Sequence, residues 1–255
     1  MDTQRVSFLK VPIDIVPPEE LHDTLLRLLP SESADPAVPS QSRDIVLLSL
    51  ADLLRARRKG KYQNYVNNAA LVIPISKCIV SGIKFLTRLK AYRYMPFNFV
   101  ISLLSFLEQR ERTLYLLGGS AKVLRKTEKN IRSTFPNIQI VGRHQGSIKK
   151  REKVSVLQAI RKSSPSLLLA AKGVKGEELW LAKNSSVIGG GMHLWCSDLF
   201  EVFAKKRKRP SDTLFNVGLE TVFYAFRDPV KFLRIFSYMR YLVLLLFYKT
   251  FRRSE

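Results

Sequence analysis

Apolar positions along the chain alternate between short unbroken runs and helical spacing. Leu114 to Leu117 form one such run, which suits a buried strand. Just beyond it, Val123, Leu124, Thr127, Ile131 and Phe135 recur at helical spacing, with Lys122, Lys126 and Lys129 pointing elsewhere. Gly118 and Gly119 allow a sharp turn between the two, and Ser120 is a good N-cap for the helix. Pro136 and Asn137 break that helix, and Ile138 to Val141 read as a second strand. The unit is β-turn-α-β, whose crossover predicts parallel strands. A Gly-rich turn feeding a helix N-terminus is also a ready site for phosphate or another anion.

The same reading extends in both directions. Val6 to Val16 read as one extended segment punctuated by Pro12. Pro17 and Pro18 open a helix with Leu21, Leu25, Leu28 and Leu29 on one face. Residues 30–42 are rich in Ser and Pro and predict a loop. Strands are predicted at Ile45–Leu50, Leu71–Ile73, Leu167–Ala171 and Val187–Ile188. Helices are predicted at Ala51–Arg58, 77–90, 97–109, Lys149–Lys162 and Glu177–Lys183. This alternation predicts an α/β fold, with a Rossmann-like, largely parallel sheet flanked by helices. Ligands of such sheets sit beyond the carboxyl ends of the strands, so the loops after residues 49, 73, 117, 171 and 188 are the places to search.

At Lys205 the pattern changes. KKRKRP is followed by a predicted helix over Phe215–Phe226 and then by an apolar, aromatic and basic tail. The chain therefore divides into an α/β domain, 1–204, and a basic helical C-terminal appendage, 205–255. The tail's uninterrupted apolar run, Tyr241 to Tyr248, is too short to span a bilayer. Its composition suits an anionic membrane surface, on which the basic groups add attraction. A second copy of the chain can cover such a tail equally well, so a homo-oligomer stays open.

Composition narrows the function. In 255 residues, 46% apolar content is ample for a core, and a formal charge of +22 calls for an anionic partner. Cys78 and Cys196 stand far apart, which argues against a disulfide scaffold or a zinc site and for a reducing cytoplasm. The first residues contain no apolar core of signal-peptide length. Zinc-finger spacing, an RNP-type aromatic pattern and a basic heptad helix are all missing, so nucleic acid is not an expected partner.

Several pieces occur in one order: NNAALVIP (67–74), Arg93, LYLLGG (114–119), FPNIQIVGRHQG, EELW (177–180), IGGG (188–191), KRP (208–210) and GLE…DP (218–229). Together they resemble the WecG/TagA/CpsF family of bacterial glycosyltransferases, from about residue 6 to residue 236. The resemblance implies an inverting transfer of an N-acetylmannosamine-type sugar from a UDP-sugar donor. The implied acceptor is N-acetylglucosamine on a polyprenyl (undecaprenyl) diphosphate. It also implies a cytoplasmic, peripheral position on the inner face of the bacterial cell membrane, a role in cell-surface polysaccharide synthesis, and no cofactor or bound metal. The C-terminal appendage of such enzymes meets the membrane and helps cover the active site. Independently, the sequence contains no Asp-x-Asp clamp, so arginine, lysine and helix N-termini are left to neutralise a diphosphate.

The chain departs from the family where catalysis is expected. The family's Pro-Asp-Gly, whose Asp is the presumed base, is Pro74-Ile75-Ser76 here, and Ile75 cannot accept a proton. The family's Thr-x-Asn is Leu47-Leu48-Ser49, and its Gly-Gly-x-Phe-Asp is Gly189-Gly190-Gly191-Met192-His193. Three residues are candidates for a relocated base: Asp52 near the end of the second strand, His193 and Glu177. The matches and the loop positions make Arg93, Gly118, Gly119, His144, Glu178, Gly189, Gly190 and Arg209 candidate substrate-binding residues. Two readings stay open: an active, divergent transferase, or a catalytically inactive relative that binds a lipid-linked sugar or a partner.

Overall fold

The computed structural model describes residues 4–29, 43–209, 211–217 and 234–251. Strand β1 (Gln4–Phe8) pairs antiparallel with β2 (Val11–Ile15). After α1 (Leu21–Leu28) come β3 (Arg43–Leu48), α2 (Leu50–Ala56), α3 (Lys61–Asn67), β4 (Leu71–Pro74), α4 (Lys77–Thr87) and α5 (Pro96–Gln109). The central unit is β5 (Thr113–Leu117), α6 (Ala121–Thr134) and β6 (Gln139–His144). It is followed by α7 (Lys153–Ser163), β7 (Leu167–Ala170), α8 (Glu178–Ile188), β8 (Met192–Trp195), α9 (Leu199–Phe203), α10 (Asp212–Val217) and α11 (Arg234–Phe251).

Six strands make one parallel sheet in the order β4-β3-β8-β7-β5-β6. Helices cover both faces, so strands are buried throughout, as in LVIP of the edge strand β4 and LLLA of the inner strand β7. Alternate residues serve opposite layers. Ile45, Ile73, Leu116 and Leu169 meet α1, α5, α6 and α9. Val46, Leu48 and Val72 meet the β1–β2 hairpin, α2, α3 and α4. Tyr115, Leu117 and Leu168 meet α7 and α8. The α/β expectation holds, and Ser120 caps α6 with its hydroxyl 3.4 Å from the Val123 N–H.

Three local expectations change. Val6–Val16 is a hairpin, because Leu9 and Lys10 both take positive φ (51° and 67°) in a turn that carries no Gly or Asn signal. Helix α3 has no clean apolar period and was not predicted; it buries Tyr62, Tyr65 and Val66. Val187–Ile188 is the end of α8, not a strand. Ile188 completes the buried stripe Trp180, Leu181 and Asn184, and Gly189 stops the helix at φ 108°. The strand lies beyond the glycines, at β8. Residues 30–42, and the part of the expected Phe215–Phe226 helix past Val217, lie outside the described residues.

Helix α11 packs on α2 and α4 through Tyr241, Leu244, Leu245 and Tyr248. The Tyr241 hydroxyl donates to the Cys78 carbonyl at 2.6 Å, and Lys249 donates to the Phe85 carbonyl at 3.0 Å. Its outer side leaves Phe236, Met239, Val243, Leu246, Phe247 and Phe251 exposed. Among the described residues, no helix is long and apolar enough to cross a membrane.

Candidate active site

The carboxyl ends of the strands are tied together by backbone. Gly118 N–H donates to His144, Gly119 N–H to Lys172, Gly146 N–H to Gly119, and Lys172 N–H to Ser197. These contacts need glycine: a Cβ on Gly118 would stand 2.6 Å from the Ala171 carbonyl oxygen, and one on Gly146 2.5 Å from the Gly173 carbonyl carbon. The loops after β5, β6, β7 and β8 thus form one rigid rim.

Beside this rim opens a cleft of about 1640 Å³. Its polar end is built from the loops after β3, β4, β7 and β8 and contains Ser49, Asp52, Arg55, Lys172, Glu177, Glu178, Ser197 and Asp198. Its other end lies between α4 and α11. A side pocket of about 340 Å³, formed by Gly119 and Ser120 at the start of α6 and by Gly173, shares Lys172 and Lys206 with the cleft.

At the polar end, Ser49 caps α2 reciprocally with Asp52. The Ser49 N–H and Oγ both donate to Asp52 Oδ2, at 3.2 and 2.5 Å. Burial, reinforced by the charges of Asp52 and Glu178, pushes the Tyr62 phenol well above its usual range, so it stays a donor. Arg55 lies 4.0 Å over the Tyr62 ring and donates to Glu178 Oε1 at 2.5 Å. Burial raises the Glu178 carboxyl above its ordinary value, Arg55 opposes that shift, and the Asp52 charge adds to it. Leu50 N–H donates to Ser76 Oγ at 3.0 Å, which joins the Asp52 turn to the loop that carries Ile75.

A family model described as the glycosyl transferase WecG/TagA/CpsF family matches residues 6–255. The chain belongs to that family. It is also similar to an N-acetylglucosaminyldiphosphoundecaprenol N-acetyl-beta-D-mannosaminyltransferase of Bacillus spizizenii, with 22% identity over 191 residues. That match covers 75% of this chain and 74% of the relative.

Against this family background, the structure sorts the candidate residues by position. Asp52, Glu177, Glu178, Arg209 and Ile75 line one cleft. Glu177 is solvent-exposed at the start of α8 with φ 53°. Arg209 stacks 4.7 Å over Phe97 and donates to Asn98 at 2.8 Å. Gly119 lines the side pocket, whereas Gly118 acts through the rim. Arg93 stands behind the cleft wall: it donates to the carbonyls of Ile75 (2.8 Å) and Phe215 (2.6 Å) and stacks 3.6 Å over the Phe215 ring. It therefore clamps α10 onto the loop after β4.

Three placements are corrected. His193 is not in a post-strand turn; it lies inside β8, 1% exposed, with Nδ1 3.2 Å from Asp44 Oδ1. Gly189 and Gly190 precede β8, at the amino edge of the sheet, where the Gly190 carbonyl accepts from Arg43. His144 ends β6 with its ring against the Gln145 carbonyl, and lines neither void. The misplacements of His193 and of Gly189 and Gly190 trace to the misread strand at Val187–Ile188.

Sequence reasoning missed Ser49, Arg55, Tyr62 and Lys172. Lys172 directly follows a predicted strand, so its position was legible. Tyr62 sits on the unpredicted α3, and the Arg55–Glu178 pair spans 123 positions of chain. Among the described residues, no three His, Cys, Asp or Glu side chains converge as a metal site.

Proposed function

We propose that the protein transfers an N-acetylmannosamine-type sugar from a UDP donor to N-acetylglucosamine carried on a polyprenyl diphosphate, with inversion, and that Asp52 is the base. Family membership and the Bacillus spizizenii relative support the reaction class. The observation that carries Asp52 is the Leu50–Ser76 bond: it brings the Asp52 turn beside Ile75, one strand away from the family's carboxylate position. The acceptor hydroxyl attacks the anomeric carbon, Asp52 takes its proton, and the bond to the diphosphate breaks to release UDP. The two hydrogen bonds from Ser49 hold the carboxylate in one orientation. Lys172, Lys206 and the N-terminus of α6 meet the charge of the leaving diphosphate. The exposed apolar side of α11, with Arg240 and Lys249 on the same helix, supports a peripheral position on an anionic membrane surface.

The test is transfer from UDP-N-acetylmannosamine to the lipid-diphosphate acceptor in anionic vesicles, for the wild type and Asp52→Asn. Asn keeps an oxygen for the cap but is no base, so kcat should fall about 10²–10⁴-fold with UDP affinity retained. Equal rates in the two proteins would discard Asp52. The replacement of the family carboxylate by Ile75 favours a second reading, an inactive binding protein, which predicts UDP or lipid binding with no turnover in the wild type.

A further inference from the structure

The end of the cleft that lies away from the polar groups is a trough between two parallel-running helices. Helix α4 lines it with Lys77, Cys78, Ser81, Gly82 and Phe85, and α11 with Ser237, Tyr238, Tyr241, Leu242 and Leu245. Each set follows the spacing i, i+1, i+4, i+5, i+8, which is one continuous face of a helix. Contacts keep the helices in step: Tyr241 meets Cys78 and Gly82, Leu245 meets Gly82, and Lys249 meets Phe85. The lined stretch advances eight residues, or about 12 Å at the α-helical rise.

The two ends of the trough differ in chemistry. At the start of α4 it joins the loop of Ile75 and Ser76, beside Asp52 and Arg55. At the other end Phe85 is 43% exposed and adjoins the outward apolar side of α11, where Leu242 and Leu246 are 38% and 59% exposed. We propose that this α4–α11 trough is a binding site for the proximal isoprene units of a polyprenyl diphosphate. The anionic head faces the polar end of the cleft, whose lining includes the cations Arg55, Lys77, Lys172, Lys206 and Arg209, and the chain leaves past Phe85. This rests on the acceptor class given under Proposed function. The complementarity is amphiphilic: one void runs from a charged pocket to an apolar surface, matching a diphosphate with a hydrocarbon tail and no other part of that acceptor.

Ser81 is exposed on the trough lining, so Ser81→Trp fills the trough from a site that tolerates a larger side chain. Two acceptors are compared in the same detergent, one with a long polyprenyl chain and one with a short alkyl chain on the same sugar diphosphate. The ratio of KM for the polyprenyl acceptor to KM for the short-chain acceptor should rise at least tenfold in Ser81→Trp. An unchanged ratio would overturn the proposal. If neither acceptor supports turnover, the functional reading fails, and the trough is judged by binding alone. Fluorescent geranylgeranyl diphosphate, free of vesicles, should then bind the wild type at least tenfold more tightly than Ser81→Trp, and uncoupled inorganic diphosphate should not match it. Equal binding by the two proteins, or full mimicry by inorganic diphosphate, would sink the idea. Leu242→Asp, which sets a charge in the tail's path, serves as the second variant should Ser81→Trp not fold.

Discussion

Gly82→Ala probes whether α11 is seated on α4 as described. A Cβ at position 82 would lie 2.0 Å from the Tyr241 hydroxyl, 2.7 Å from Phe8 Cζ and 3.1 Å from Leu245 Cδ1. Tyr241 is 2% exposed and cannot give way without leaving its seat. Overpacking of this kind costs about 1–3 kcal/mol, and the lost hydrogen bond to Cys78 about 1 kcal/mol more. The better helix propensity of Ala returns about 1 kcal/mol. The net expectation is a loss of about 2 kcal/mol. Urea unfolding gives the stability, and limited proteolysis within α11 gives the undocking, which should accelerate in parallel. Tyr241→Phe alone should cost about 1 kcal/mol, for the hydrogen bond only. In the double variant the shorter side chain relieves part of the clash, so the two costs should sum to more than the measured loss. Gly82→Ala with wild-type stability and unchanged cleavage of α11 would refute the seating of this helix.

Two further outcomes follow from the site and its rim. The raised Glu178 carboxyl means that the fold favours its protonated form. Its contribution is therefore complete below the ordinary carboxyl range and is lost as pH rises through the raised value. Wild type should lose stability relative to Glu178→Gln as pH rises from the ordinary carboxyl range, and a difference in urea midpoints that stays flat with rising pH would contradict the burial argument. Gly146→Ala drives a methyl to 2.5 Å from the Gly173 backbone, which has no rotamer to yield. It should cost about 3 kcal/mol, seen as a fall in Tm of roughly 2–4 °C per kcal/mol for a chain of this size.

The glycines show how far the sequence could be read. LYLLGGS announced a strand, a turn and a helix start, and β5, the Gly118–Gly119 turn and the Ser120 cap follow it. Those signals are local: a strand's period, a residue free to take positive φ, a hydroxyl two or three residues from an orphan N–H. Where the local signal was ambiguous, the reading slipped. Val187–Ile188 is two apolar residues before three glycines, which a helix end and a strand produce alike, and the misplacement carried His193, Gly189 and Gly190 to the wrong edge of the sheet.

The sequence by itself determined the α/β class, the parallel order of the central unit, and the family, because each rests on residues near one another along the chain or in fixed order. Only the tertiary structure decided which candidates share a cleft. Asp52, Tyr62 and Glu178 stand on three helices, α2, α3 and α8, and meet because β3, β7 and β8 bring their carboxyl ends together. The pairing of Arg55 with Glu178, the burial of His193 against Asp44, and the seating of Tyr241 beside Gly82 are contacts between distant segments. Local propensity carries no term for such contacts, since their free energy exists only once the sheet has closed the distance between them.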